Sequence, residues 1–396
     1  MSRLRLRSKS VSDKSVYELG LERMHYIFKN HDQVHISFSG GKDSTVVLNL
    51  ALQTARELKM LPLNVFFWDE EAIPPQTQEY VERVRKVKDV KLRWLCVETM
   101  QRNSCSRKEP YWYTWDKTCP ELWCSQPSKY ADRDKTFPRT PIPESNPWMF
   151  PNKKEKIAVV LGLRADESLR RLRVILMQSK SKNKLGYLSV DHSAKKTYPH
   201  IMRAYPIYDW TTKDVWVAPR KWDWDYNRAY NIMAAAGISP HRQRCAPPYA
   251  LEPLRGLYQF AICWPELWDK MCRRVPGANT AARYGRSMLY GYSREFKPPE
   301  GMSWMEAIDH YCSTHAPEIA KSSRERIEQM IELHKQKTND PIPDLIAHVS
   351  TGTCYQFLLK VAMRGDSKGR MNPTYLPNVA EATKDEEALF SEFDRY

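Results

Sequence analysis

Residues 34–50 read VHISFSGGKDSTVVLNL, and their order decides how the rest of the chain is read. Val34 to Phe38 are apolar and β-prone, Ser39-Gly40-Gly41 break the strand, and from Asp43 the apolar positions recur with helical spacing to about Lys59. The pattern predicts a strand, a tight glycine turn and a helix start. Backbone N–H groups at a helix N-terminus attract anions, and glycines let a phosphate come close to the main chain. Ser39 and Ser44 add hydroxyl donors and Lys42 a mobile positive charge. The spacing is neither a Walker A loop, which needs four residues between its first glycine and GK, nor a GxGxxG turn. The plainer alternative is an ordinary strand–turn–helix connection.

A second stretch, IAVVLGLRADESLRRLRVILMQ from residue 157, predicts a buried strand ending at Gly162 and a helix starting near Asp166, with Glu167 in its first turn. Arg164 falls at the strand's end, where a guanidinium can fork onto phosphate or sulfate oxygens. Arg170, Arg171 and Arg173 either extend that positive field or line a solvated helix face.

SGGKDS after a strand resembles the PP-loop of the ATP-pyrophosphatase and phosphoadenosine-phosphosulfate (PAPS) reductase superfamily. The resemblance makes Ser39, Gly40, Gly41, Lys42, Asp43 and Ser44 phosphate-loop residues. LGLRADESLRR resembles the superfamily's G-x-R-x-x-E-S element, which implies that Gly162, Arg164, Glu167 and Ser168 form the other half of the anion site, with Arg164 on the phosphate or sulfate end and Glu167 orienting it. YPIYDWTTKDVW, residues 205–216, resembles the segment that closes the family's core; Asp209 or Thr211 can cap a helix holding Asp214 and Trp216.

Bulk composition agrees with a nucleotide protein. The chain has 396 residues, room for one large or two ordinary domains. No run reaches the roughly 18 apolar residues of a membrane span, and the basic start MSRLRLRSKS has no apolar segment behind it, so a basic arm over 1–15 is expected and no membrane role. Nine cysteines without a short-range framework argue against a disulfide-built exterior protein; a cytoplasmic enzyme fits. A net charge of +15 raises the local concentration of anions such as nucleotides or nucleic acid, and leaves room for a protein partner.

In chain order, a helix over 16–29 precedes the first strand, a second strand spans Leu63 to Trp68, Pro74-Pro75 open a helix over 75–88, and 90–98 reads as a third strand. Alternating strands and helices imply an α/β fold with a doubly wound, mainly parallel sheet, which the resemblance specifies as adenine nucleotide alpha hydrolase-like. Asp69 ends the second strand, where ligands of open α/β sheets sit. By resemblance it reaches the nucleotide's ribose or adenine side or a metal, with Glu70 a weaker counterpart; Mg²⁺ would be held by phosphates with Asp43 or Asp69. Residues 100–155, rich in aromatics and prolines, read as an insertion facing substrate, its rings either stacking bases or forming a small core.

The nucleotide domain is expected over 16–220, a helical region over 221–345, and an extension with an acidic tail over 346–396. The helical region resembles the IbrA-like branch of the superfamily. Within it His241, Arg242 and Arg244 surround Cys245, the candidate reactive thiol, since neighbouring cations lower a thiol pKa.

Three functions fit. One is ATP cleavage between the α and β phosphates with adenylation of an acceptor, the loop, Lys42 and Arg164 neutralising the leaving pyrophosphate. Another is reduction of PAPS or its APS counterpart, although the reductases' E-C-G-x-H-type segment is missing and so is the cysteine pattern of their iron–sulfur form, so that no cluster is expected. The last is a nucleotide sensor that turns nothing over.

Overall fold

The computed structural model describes residues 12–168, 171, 172, 175, 185–193, 196–246, 249, 253–285, 296–367, 369 and 371. Most of the basic arm, Arg170, Arg173 and the acidic tail lie outside these. The described residues divide into two compact units, one within 1–101, 111–248 and 258–274, the other within 102–110, 249–257 and 275–396.

The first unit is built on six strands: β1 (Gln33–Phe38), β2 (Leu63–Trp68), β3 (Val90–Leu95), β4 (Ile157–Val160), β5 (Leu188–Asp191) and β6 (Tyr198–Ala204), in the spatial order β3-β2-β1-β4-β6-β5. All pairs are parallel except β5 with β6. This is the doubly wound, mostly parallel α/β sheet that alternating strands and helices predict. The ladder sets His35 beside Val159 and Asn64, so β1 lies between β2 and β4. The order reverses between β1 and β4, and the crevice beyond the carboxyl ends of those two strands is where such a fold binds ligands.

Sequence accounts for the elements locally. Helix α1 (Val16–Asn30) opens on a capping box in which the Ser15 hydroxyl accepts from the Glu18 N–H and Glu18 reaches back to Ser15. Helix α2 (Lys42–Glu57) buries Val46, Val47, Leu50 and Ala51 against the sheet, and α3 (Pro75–Arg85) carries Pro75 in its first turn, where the missing N–H costs nothing. Thr211 caps α4 (Thr212–Lys221) with Asp214 as the reciprocal partner, while Asp209 forks onto Arg23 at 2.7 Å from both oxygens. After β4 the chain makes a single 3₁₀ turn, Ala165–Glu167, and residues 171, 172 and 175 are helical, so the helix expected from Asp166 follows that turn.

The insertion is a packed structure. Phe137 and Phe150 join Trp68 and Phe66 in one cluster, and Trp112 and Trp115 are buried as well. Its anchor is Glu71, fully buried, whose carboxylate accepts from the N–H groups of Trp115 (2.6 Å) and Cys124 (3.1 Å) and pairs with Arg274 at 2.8 Å. These rings form a small core, the second of the two roles expected of them.

The second unit is helical. Trp304–Ser313, Pro317–Lys337 and Tyr355–Arg364 pack around Ile308, Cys312, Ile327, Leu358 and Val361. Among the described residues no helix is long and apolar enough to cross a membrane.

Candidate functional site

The site grows from the end of β1. Gly40 has φ +69, and a Cβ on it would lie 2.8 Å from Thr77 Cγ2, so the turn after the strand needs glycine twice over. Gly41 is the N-cap of α2 and brings no side chain to its first-turn N–H groups. The hydroxyls brace the loop: Ser39 Oγ and Ser44 Oγ are 3.0 Å apart, and Ser44 also donates to the Gly41 carbonyl at 2.9 Å. From the other side the end of β4 closes on the same turn. A Cβ at Gly162 would stand 2.8 Å from the Asp43 carbonyl carbon and 3.0 Å from Ser44 N. Two sequence motifs more than a hundred residues apart therefore meet backbone to backbone.

Around this junction is a cavity of about 420 Å³, lined by Ser39, Gly41, Lys42, Asp43, Arg164 and Glu167, with His241, Arg244 and Cys245 on its far wall. The structure brings both halves of the expected anion site together, Gly40, Ser44 and Gly162 forming the frame behind it. Ser168 stands just outside, its hydroxyl accepting from the Arg171 N–H at 3.3 Å, and Glu167 pairs with Arg171.

Arg164 occupies its place differently from the expectation. It is 1% exposed, with Nε donating to Asp43 Oδ1 at 2.5 Å and the terminal nitrogens to the Trp210 carbonyl and Thr212 Oγ1 at 3.2–3.4 Å. Asp166 completes the knot, accepting from Arg164 and from both the N–H and the hydroxyl of Thr212. The guanidinium fixes the Asp43 carboxylate and ties the end of β4 to the start of α4. Lys42 supplies a cation at the cavity: its Nζ donates to the Gln243 carbonyl at 3.2 Å and lies 3.9 Å from Asp43 Oδ2. Burial lowers its pKa, and Asp43 opposes that shift.

Asp69 and Cys245 depart further. Asp69 does not line this cavity; it is 2% exposed and accepts from Trp94 Nε1 (3.0 Å), the Glu71 N–H (3.0 Å) and Gln78 (3.3 Å). Burial outweighs those three donors and raises its pKa to about 6; Glu70 is pushed to about 7 by burial and by Asp69. Cys245 does line the cavity, but the residue is 5% exposed and burial pushes its thiol pKa up to about 11, although Tyr230 and Lys42 pull the other way. The expectation of a thiol activated by neighbouring cations is corrected: desolvation of the thiolate wins.

Among the described residues no three His, Cys, Asp or Glu side chains gather as a metal cluster. A magnesium ion carried on phosphates needs only one or two carboxylates. Asp43 fits that part, with Oδ2 turned toward Lys42 at the cavity; Asp69, committed to N–H donors elsewhere, does not.

The reading of the sequence missed Asn227 and Tyr230. Asn227 Nδ2 donates to the Gly40 carbonyl and to Thr77 Oγ1, both at 2.9 Å, and contacts Cys245 Sγ at 3.6 Å. The Tyr230 hydroxyl accepts from the Lys42 N–H at 2.8 Å. Nothing near Asn227 or Tyr230 in the sequence marks them, because the glycine turn they brace lies nearly 190 positions away.

Comparison with known proteins follows these motifs. A family model described as the phosphoadenosine phosphosulfate reductase domain matches residues 33–233, which contain all three motifs, and a domain of unknown function matches 237–354. The uncharacterized protein YbdN of Escherichia coli (strain K12) is 28% identical over 341 residues, covering 82% of this chain and 81% of that protein. Among solved structures, phosphoadenylyl-sulfate (PAPS) reductase from Candida auris aligns at 15% identity with a TM-score of 0.31, covering 57% of this chain and 94% of its own. FMN adenylyltransferase from Candida glabrata aligns at 14% identity with a TM-score of 0.34; 56% of this chain is covered, and it spans 62% of that chain, less than two thirds.

Proposed function

The chain belongs to the phosphoadenosine phosphosulfate reductase domain family, and on that premise we propose that it binds ATP at the glycine turn and cleaves it between the α and β phosphates to adenylate an acceptor. The observation that carries this reading is the cavity itself. A sixteen-residue helix whose N-cap, Gly41, brings no side chain points its first turn into a space of about 420 Å³ that also holds Lys42. An acceptor oxygen attacks the α phosphorus, the bond to the bridging β oxygen breaks, and pyrophosphate leaves with the electron pair. Charge accumulates on that leaving group. Lys42 and the α2 N–H groups meet it, and Arg164 holds Asp43 in place. Magnesium bound to the phosphates would supply further charge neutralisation, with Asp43 as its protein ligand.

Reduction of PAPS or APS would need a thiolate at the sulfur. Cys245 is the cavity's cysteine, and a thiol titrating near 11 is protonated at neutral pH. The net charge of +15 favours an anionic acceptor, in nucleic-acid or sulfur chemistry. The test is pyrophosphate release from ATP, with sulfate, DNA and RNA each offered as acceptor. Lys42→Ala is expected to lower turnover by about 10²–10³-fold, the worth of one preorganised donor. Tight ATP binding with no release under any acceptor would identify a sensor; full activity in the variant would remove Lys42 from the mechanism.

A further inference from the structure

A second, larger cavity, about 590 Å³, adjoins the first and shares Tyr230 and Gln243 with it. That volume is within the range of small-molecule sites. Its walls are aromatic: Trp216 at the end-on face of Tyr230 (ring centroids 4.9 Å apart, 90° between planes), Trp224 stacked on Trp222, and Tyr226 under the Arg228 guanidinium at 4.1 Å. Charges of both signs stand at the rim. Arg228 and Arg83 already neutralise Asp225, whereas among the described residues no hydrogen bond or ion pair engages Arg220 or Asp223.

We infer that this cavity is an acceptor subsite for a planar heteroaromatic ring of nucleobase size. Aromatic faces stack any base without regard to sequence, and the Arg220 guanidinium and Asp223 carboxylate, which both line the cavity, can meet a ring edge that carries both acceptors and donors. The ring belongs to a molecule other than the nucleotide in the loop. Tyr230, a wall of both cavities, accepts a hydrogen bond from the first N–H of α2, at the glycine turn to which the proposed function assigns the phosphates. The nucleotide's own base is a ribose and a phosphate chain away from that point. The acceptor subsite rests on the nucleotide reading of the glycine turn; the presence of a ring-binding cavity does not.

The experiment titrates adenosine or guanosine into the full chain, alone and with a saturating non-hydrolysable ATP analogue. The nucleoside is expected to bind in both conditions. Trp224→Ala is expected to weaken it about tenfold, the loss of one base–aromatic stack, and the exposed substitution Arg220→Glu to weaken it severalfold without burden on the fold. Both variants should keep analogue affinity within about twofold of the parent, which also reports that they are folded. Displacement of the nucleoside by the analogue, one for one, would make the cavity the nucleotide's own base site and overturn the inference. Absence of nucleoside binding at millimolar concentration, or binding untouched by both substitutions, would overturn it equally. If the analogue fails to bind the parent chain, the nucleotide reading falls instead, and the nucleoside titrations alone still decide the ring site.

Discussion

Gly162 shows how little room the site leaves at the scale of one residue. Its hydrogen faces the main chain of Asp43 and Ser44, and backbone in the first turn of a helix cannot step aside as a flexible side chain would. Gly162→Ala is therefore expected to cost about 1–3 kcal/mol, the usual penalty of forcing an extra carbon into a packed interior. It should weaken ATP binding as well, because the phosphate turn must shift. Thermal melting and nucleotide titration of the same variant check both halves, and an unchanged melting temperature would show that the β4 end does not press on α2. Cys245 gives a second residue-scale prediction. With its thiol near pKa 11 and 5% exposed, it should react with a thiol reagent at pH 7.5 far more slowly than Cys119, which is partly exposed. Mass mapping of the labelled cysteines decides it. Fast modification of Cys245 in the folded protein would restore the reductive alternative.

At the scale of elements, what could be read in the chain is what is encoded within a few neighbours. SGGKDS and LGLRADESLRR each carry a strand end, a turn and an anion-binding chemistry inside a dozen residues, so their meeting across the sheet follows once the strand order is known. The roles of Arg164 and Cys245 are not local. Whether Arg164 faces a ligand or Asp43 depends on two acceptors at the entry to α4, the Trp210 carbonyl just before it and the Thr212 hydroxyl at its start, and whether Cys245 is activated depends on how much water its surroundings exclude. The aromatic insertion posed the same problem, since composition shows rings but not which of them are buried. Glu71 settles its placement. It has φ +65, no exposure, and a buried ion pair with Arg274, and it holds two backbone N–H groups of the insertion. Glu71→Ala would leave Arg274 without its counter-ion, and a loss of about 3–5 kcal/mol in urea unfolding is expected. Glu71→Gln, which keeps an acceptor for Trp115 or Cys124, should lose less. Equal effects from both substitutions would mean that the charge, not the hydrogen bonding, docks the insertion.

At the scale of the whole molecule, buried titratable groups set the pH dependence of stability, and they pull in opposite senses. Burial lowers the pKa of His35 and of His315 to about 4. Between about 6.5 and 4 the unfolded chain binds more protons at these sites than the folded one does. Their contribution is present above 6.5 and is lost as the pH falls. Asp69 and Glu70 do the reverse. Their folded values of about 6 and about 7 stand above the ordinary carboxylate range, so the folded protein holds the extra protons, and stability drains away as the pH rises from about 4 to about 7. The two effects overlap and flatten the profile of the native chain. Removing one of them should tilt it. Asp69→Asn keeps an oxygen for Trp94 Nε1 but has no charge to bury, so its stability relative to the parent should climb between pH 4 and 7 and level off above. Urea midpoints of the two proteins across that range measure the difference directly. A difference that stays constant with pH would show that Asp69 is ionised throughout, held by its three donors against desolvation.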